Sequence, residues 1–372
     1  MKYLYNADIV TPEGILRDSS VLYDGTVISV GETCPEGAEA LDGQGLTLWP
    51  GLIDIHTHGY GGRDTMDGGN SVAEIAKGLP RYGVTAFLPT TVTGSREAVS
   101  AALEGVRSAM GGGEGAAVLG AHLEGPFLSP ERLGAHDPRF ILPPAADWLD
   151  AGVIKLVTVA PELSGAEAFI EVCRERGIQV SIGHTDASYE LCEQAVGWGA
   201  ASFTHTFNAM SPLTHRRPGA VGAALLLDCF AELICDNIHV VPAVQKIAFR
   251  LKPDRLILIT DSIMAASLPD GSFTLGTVRG TVRNGVARLP DGTLAGSVLT
   301  MNTAVMNFMK NTGASAPQAA RAACENPAAL LGLRKGRIQP GYDADFVLFD
   351  REFEARLTVS RGRTVYAKNH PL

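Results

Sequence analysis

An α/β chain built on a (β/α)8 TIM-type barrel, with a small β-sandwich domain formed from the N- and C-terminal segments, is the fold the sequence predicts. Three observations carry it. Eight short apolar runs recur between Leu52 and Asp261, most of them separated by amphipathic helical patterns. The first fifty residues, from YLYNADIVTPEG to ALDGQGLTLWPG, are strand-rich and broken by Asn, Asp, Gly and Pro, and the tail returns to that character. His and Asp close several of the apolar runs, the place where a barrel gathers its reactive groups, which disfavours the rival open doubly wound sheet.

The eight runs are Leu52–His58, Thr85–Thr90, Val118–Glu124, Lys155–Val159, Gln179–His184, Ala201–Phe207, Ala231–Asn237 and Arg255–Asp261. Such short, mostly apolar runs suit strands buried on both faces. Helical patterns between them include SVAEIAKGLPRY, SREAVSAALEGVRSAM, GAEAFIEVCRERG, ASYELCEQAVGWG and VPAVQKIAFRLK. Eight units in about 210 residues fit a barrel of ~250 residues. After Asp261, the excursion Ser262–Leu299 carries PDG twice and predicts hairpins projecting from the last barrel loop. Helices are expected over Thr300–Asn311 and Ala316–Leu331, the second packing outside the barrel, before GRIQPGYDADFVLFD and ARLTVSRGRTVYAKNH resume β character. Residues 1–50 and 335–372 are thus expected to form the small β domain around a barrel of residues 51–334. Gly111–Gly113 reads as a flexible surface loop.

Composition narrows the function classes. With 45% hydrophobic and 19% charged residues the chain can bury a large core. A net charge of −9 without a basic tract disfavours a nucleic-acid surface. No apolar run approaches the ~18 residues that cross a bilayer, and MKYLYNADIV is not a secretory signal. The six cysteines form no CxxC and read as reduced thiols of a cytoplasmic protein, Cys229 and Cys235 in the core.

The chemistry sits at strand ends. In IDIHTHG, His56 and His58 stand two apart, which on a strand puts both imidazoles on one face, a natural pincer for a divalent metal. AHLEGPFL places Glu124 at the end of the third strand, where Gly-Pro stops it. His184 and His205 close the fifth and sixth strands, and Asp261 the eighth. Singly, each reads as well as a core or salt-bridged residue. Gathered on one rim they would be expensive without a cation, and imidazoles with carboxylates suit Zn2+, Fe2+ or Mn2+. Asp54 is placed to orient an imidazole, and His122 reads as structural. His136 in GAHDPRF and the trio His215-Arg216-Arg217 are open between solvent-exposed loops and substrate contacts; His239 closes the loop after strand seven, and His370 lies in the tail.

These residues resemble the amidohydrolase superfamily, and the strings PGLIDIHTHG, HLEGPFLSPERLGAHDP, GHTDA, THTFNAM, RRPGAVGA, TDSI and GTLAGSVLTM are similar to its N-acetylglucosamine-6-phosphate deacetylase family. The binuclear members familiar in that superfamily use a carboxylated Lys at the end of strand four. Here Lys155 lies near the strand's start, which leaves Glu124 on strand three as the acidic candidate for a bridging ligand. The resemblance implies that Glu124, His184 and His205 bind the tighter metal, with His56 and His58 at a second site, one or two divalent ions per subunit, zinc foremost. It implies that Asp261 is the catalytic acid/base and that His136 polarises the acetyl carbonyl. Asn208, the Ala209 backbone, Arg216 and His239 match sugar-phosphate contacts. In some members the arginine crosses a dimer interface, which implies a homodimer in which Arg216 serves the neighbouring site. The implied reaction is metal-dependent hydrolysis of N-acetyl-D-glucosamine 6-phosphate to D-glucosamine 6-phosphate and acetate. The segment SIMAASLPDG follows the family only loosely. A deacetylase for another N-acetyl sugar phosphate, a cyclic-amide hydrolase and a non-catalytic barrel are the rival readings.

Overall fold

The computed structural model describes residues 1–368, less the side chains of residues 150 and 151; His370 lies outside the described residues. Eight parallel strands follow in order: Leu52–Thr57, Val84–Pro89, Ala121–Glu124, Ile154–Val159, Gln179–Ile182, Ser202–Phe203, Phe230–Ile234 and Leu256–Ile259. Strands three to eight share one sheet, and strands one and two lie in another with the short Ala117–Val118. The ring closes through parallel bridges Thr90 to His122 and Thr57 to Ser262, reinforced by Asp261 N–H to His56 C=O at 2.9 Å. Strands one and two are buried along their whole length, as an apolar ring covered by helices requires.

The helices obey their sequence pattern. Arg96–Ala109 is capped by Ser95, whose hydroxyl accepts from Ala98 N–H, and it buries Val99, Ala102, Leu103 and Val106 at three- and four-residue spacing. Burying a Val or Leu side chain is worth about 1.5–3 kcal/mol, so this one stripe holds the helix to the barrel. The third unit departs from the rhythm. After Glu124 the chain makes a long loop with short 3-10 turns at Pro130–Arg132, Pro138–Phe140 and Ala146–Ala151 in place of a helix. A further helix, Gly219–Leu226, follows strand six; it is apolar all round and buried over seven of its eight residues, so no amphipathic period marks it in the sequence.

The terminal strands pair in one seven-stranded sheet, in the order Arg363–Ala367, Ala355–Ser360, Phe346–Phe349, Glu39–Pro50, Lys2–Thr11, Gly14–Tyr23, Val27–Val30. It folds over on itself as a sandwich does. The Tyr23 and Phe346 rings meet edge-on at 4.7 Å, although three strand steps, ~14 Å in a flat sheet, separate their strands. Val27 N–H reaches Tyr342 C=O at 2.9 Å and closes the fold-over. The enclosed core contains Leu4, Ile9, Leu48, Phe346 and Leu357. Gly51 carries the chain from this sheet into the first barrel strand; a Cβ there would meet the Thr85 hydroxyl at 2.1 Å, so the close crossing demands glycine.

The excursion after Asp261 forms an antiparallel sheet of Gly271–Leu275, Val278–Arg283 and Val286–Arg288. It packs Phe273, Leu275 and Val282 on Val92 and Ile263 at the barrel rim. The second late helix is continuous in path but holds a π-helical turn at Arg321–Glu325 between Ala316–Ala320 and Asn326–Leu330. All six cysteines are free, five of them buried and Cys34 exposed.

Candidate metal centre

Three of the strand-end residues leave their strands in the left-handed backbone region: His184 at φ 45°, His205 at φ 27° and Asp261 at φ 49°. Such conformations cost ~1–3 kcal/mol each in non-glycine residues and concentrate at functional sites. They turn each side chain inward just as the strand ends. The neighbouring Gly183 lets the fifth strand pack tightly, since a Cβ there would stand 2.6 Å from Thr204 Cβ.

The result is convergence on the Glu124 carboxylate, 1% exposed. Its Oε1 lies 3.2 Å from His184 Nε2 and 3.0 Å from His205 Nε2, and those two nitrogens are 3.0 Å apart. Its Oε2 lies 3.4 Å from His56 Nε2 and 3.3 Å from His58 Nε2. Asp261 Oδ1 approaches the same pair, 3.2 Å from His58 Nε2 and 3.6 Å from His56 Nε2. One carboxylate thus faces two pairs of imidazoles with one oxygen each.

Hydrogen bonds on the far side fix the tautomers of three of the four rings, while His205 Nδ1 is buried without a partner. His184 Nδ1–H donates to Arg132 C=O at 2.9 Å, His58 Nδ1–H to Thr90 C=O at 3.2 Å, and His56 Nδ1–H to the Glu232 carboxylate at 3.0 Å. Their Nε2 lone pairs therefore face the anionic oxygens of Glu124, and His56 Nε2 is buried without a hydrogen-bond partner. Between neutral rings and the carboxylate, lone pair against lone pair is repulsive unless a cation, a proton or a metal ion, sits between. Two ligands ~2.0–2.1 Å from a tetrahedral zinc stand about 3.3 Å apart, close to the separations seen here. The donor set fits a divalent metal.

Protons respond to the same field. Burial opposes the charged forms of His56 and His58, but Glu124 and Asp261, with Glu232 at His56, outweigh it, raising His56 and carrying His58 to about 9. Burial works to raise Asp261, yet His58 and His56 pull it down to about 2, so it is ionised at neutral pH. Burial dominates at His184, pushed down to about 4 and hence neutral.

A cavity of about 370 Å³ opens on the cluster. Glu124, His58, His136, His184, His205 and Asp261 line it, with Asn208, Ala209 and His239 farther round. Thr93 N–H donates to His136 Nδ1 at 3.2 Å, which leaves the His136 proton on Nε2, 3.4 Å from Glu124 Oε2 and facing the cavity. Leu275 and Gly296, from the excursion and its return, also line the cavity. Thr277 Oγ1–H donates to Asp137 at 2.8 Å, tying that excursion to the His136 loop. His239 is held by Asp236, at 2.6 Å from Nδ1. Burial works against its charge, but the Asp236 hydrogen bond and charge, with Asp261, raise its pKa.

Not every expected residue joins the site. Arg216 is exposed and lines a separate cavity of about 530 Å³ that shares Arg132 with the first. Asp54 orients no imidazole. Its oxygens accept from His56 N–H, Thr260 N–H and the Thr260 hydroxyl, so it clamps backbone across the barrel seam, and burial pushes it up to about 6. His122 is buried with Nε2 on the Thr158 hydroxyl at 2.8 Å. Lys155 is exposed at the start of its strand. Glu232 escaped the sequence reading; its one signal is an acid inside the apolar run FAELI.

Against known proteins, residues 47–365 match the amidohydrolase family. The chain is 40% identical over 377 residues to an N-acetylglucosamine-6-phosphate deacetylase of Bacillus subtilis, covering 96% of this chain and 95% of that protein. A human protein of the same name is 39% identical over 351 residues, covering 88% and 85%. Among solved structures, the Thermotoga maritima N-acetylglucosamine-6-phosphate deacetylase superposes with a TM-score of 0.89 at 36% identity, over 98% of this chain and 100% of that one. A mutant N-acetyl-D-glucosamine-6-phosphate deacetylase from Mycobacterium smegmatis, in complex with N-acetyl-D-glucosamine-6-phosphate, gives 0.91 at 32%, over 98% and 99%.

Proposed function

The chain belongs to the amidohydrolase family, and on that premise we propose that it hydrolyses the acetamide of N-acetyl-D-glucosamine 6-phosphate to D-glucosamine 6-phosphate and acetate, in amino-sugar catabolism or recycling. The observation that carries this reading is the approach of His184 and His205 Nε2 to Glu124 Oε1 at 3.2 and 3.0 Å, beneath a cavity of sugar-phosphate size.

Glu124, His184 and His205 would hold the tight divalent ion and His56 with His58 a second, zinc being the first choice and Fe2+ or Mn2+ the alternatives. A bound divalent ion supplies Lewis acidity and lowers the pKa of water toward ~7. The side chains do the rest. Asp261, ionised, takes the proton of the attacking water and passes it to the nitrogen as the C–N bond breaks, so the amine need not leave as an anion. His136 presents its Nε2–H to the carbonyl oxygen as charge develops there, a contribution of about 3–4 kcal/mol for one good donor. Asn208, the Ala209 backbone and His239 hold the sugar phosphate, and Arg216 of the partner subunit completes the phosphate site in a homodimer. The exposure of Arg216, outside its own chain's cavity, supports that last assignment.

Acetate release from N-acetylglucosamine 6-phosphate and from free N-acetylglucosamine tests the substrate. The 6-phosphate is expected to be strongly preferred, and Arg216→Ala to raise KM for it roughly ten- to hundredfold, as loss of a hydrogen bond to a charged group implies, with little change for the free sugar. Equal KM changes for both would remove Arg216 from the phosphate, and no acetate from either would sink the activity.

The raised pKa of His239 gives a pH signature. An imidazolium binds phosphate better than an imidazole, and a raised pKa keeps the charge above the usual ~6.5. Its contribution is full at lower pH and lost as pH rises through the raised value. KM for the phosphorylated substrate should therefore climb as pH rises past the usual imidazole value while KM for the free sugar stays level. Parallel profiles between pH 6 and 9 would exclude His239 as a phosphate contact.

A further inference from the structure

Beneath the metal centre lies a charge that none of the roles above uses. Glu232, on the seventh strand, is 0% exposed. A single oxygen, Oε2, receives both His56 Nδ1–H and the backbone N–H of His205, each at 3.0 Å. The other oxygen, Oε1, is buried with no hydrogen-bond partner. Among the described residues no Lys or Arg pairs with this carboxylate, and its one ion-pair partner is His56. Taking a carboxylate out of water costs several kcal/mol unless an opposite charge compensates. The positive charge within reach is whatever the far nitrogen of His56 holds.

We infer that Glu232 is a positioning residue that builds the second metal subsite: it keeps the His56 proton on Nδ1, turns the Nε2 lone pair toward Glu124 Oε2, and adds the negative charge that draws a cation between His56 and His58. The inference rests on the metal-centre reading above and assigns to one buried carboxylate the choice between one bound ion and two. A carboxylate behind a ligating histidine both fixes the ring and strengthens it as a donor, and removing such a partner weakens metal binding by ~10- to 100-fold. The tight subsite should feel less. Of the tight ligands only the His205 backbone touches Glu232; the ring of His184 is held by Arg132.

The test is a zinc titration of the metal-stripped chain, wild type against Glu232→Gln, with bound zinc counted directly. Gln keeps the shape and an acceptor oxygen but loses the charge. Two zinc ions per wild-type chain are expected, with the weaker of the two losing at least tenfold in affinity in Glu232→Gln while the tighter one holds. Equal weakening of both sites, or no change in either, would overturn the inference. So would a wild-type chain that takes up only one zinc, a result that leaves the deacetylase reading standing because the tight subsite suffices for it. Conversely, a selective loss of the second ion in a chain that releases no acetate would uphold Glu232 and sink the activity. Should Glu232→Gln fail to fold, nitrogen-15 spectra of the zinc-loaded wild type decide: a His56 proton on Nδ1 supports the inference, and a proton on Nε2 defeats it.

Discussion

Asp261→Asn is expected to lower kcat by about 10²- to 10⁴-fold, the usual worth of a positioned acid/base, while the tight metal stays bound. Asn matches Asp in shape, so the backbone bonds of the strand end survive: residue 261 N–H to His56 C=O at 2.9 Å, and Ser297 N–H to residue 261 C=O at 2.7 Å. What is lost is an ionised carboxylate in the cavity lining beside His58, the one proposed to carry a proton from water to the departing nitrogen. The triad proposed to hold the tight metal, Glu124, His184 and His205, does not include Asp261, so that metal should stay near its wild-type content. Steady-state kinetics with elemental analysis on one preparation gives both numbers. A variant with wild-type kcat would strip Asp261 of its role; one that loses both activity and the tight metal would make it a ligand instead.

Glu124→Gln is expected to act earlier, at metal binding. The carboxylate meets five imidazole nitrogens within 3.4 Å, those of His56, His58, His136, His184 and His205. A neutral amide cannot supply the charge that holds a cation there, and both proposed subsites share this one residue. Zinc per chain should fall close to zero and turnover to the level of chelated enzyme. The fold should pay as well, since removing one member of a buried charged cluster costs ~3–5 kcal/mol. A thermal melt therefore belongs beside the elemental analysis, so that loss of metal in a folded chain is told apart from unfolding. Full metal content in the folded variant would contradict the ligand assignment.

The features legible in the sequence are those written in local pattern. The barrel strands announce themselves as short apolar runs, and their closing residues, His56, His58, Glu124, His184, His205 and Asp261, do meet in space. Where pattern is weak, the reading slips. The expected third strand Val118–Glu124 is split around Gly120, whose φ of 140° breaks it into Ala117–Val118 and Ala121–Glu124. The expected Ala201–Phe207 shrinks to Ser202–Phe203, because the chain turns at the positive φ of His205 and Phe207. Helix Gly219–Leu226 is uniformly apolar and so lacks an amphipathic signature. Asp54 stands two residues before His56, yet its partners are the His56 N–H and the N–H and hydroxyl of Thr260 at the end of the neighbouring strand, which spacing along one strand does not reveal. Glu232 is a single acidic letter in an apolar run, and its meaning depends on His56, 176 residues away in sequence. Thr93 acts on His136 through its backbone N–H, a contribution that side-chain identity does not encode.

The central claim is that side chains from separate strands share a cation at one rim of the barrel. Anomalous diffraction at the zinc edge, from crystals of the wild-type chain grown with Zn2+, tests it most directly. A peak within ~2.0–2.2 Å of Glu124 Oε1, His184 Nε2 and His205 Nε2 is the expected result. A peak bound by other residues, or none at the rim while the three side chains keep their present positions, would contradict it.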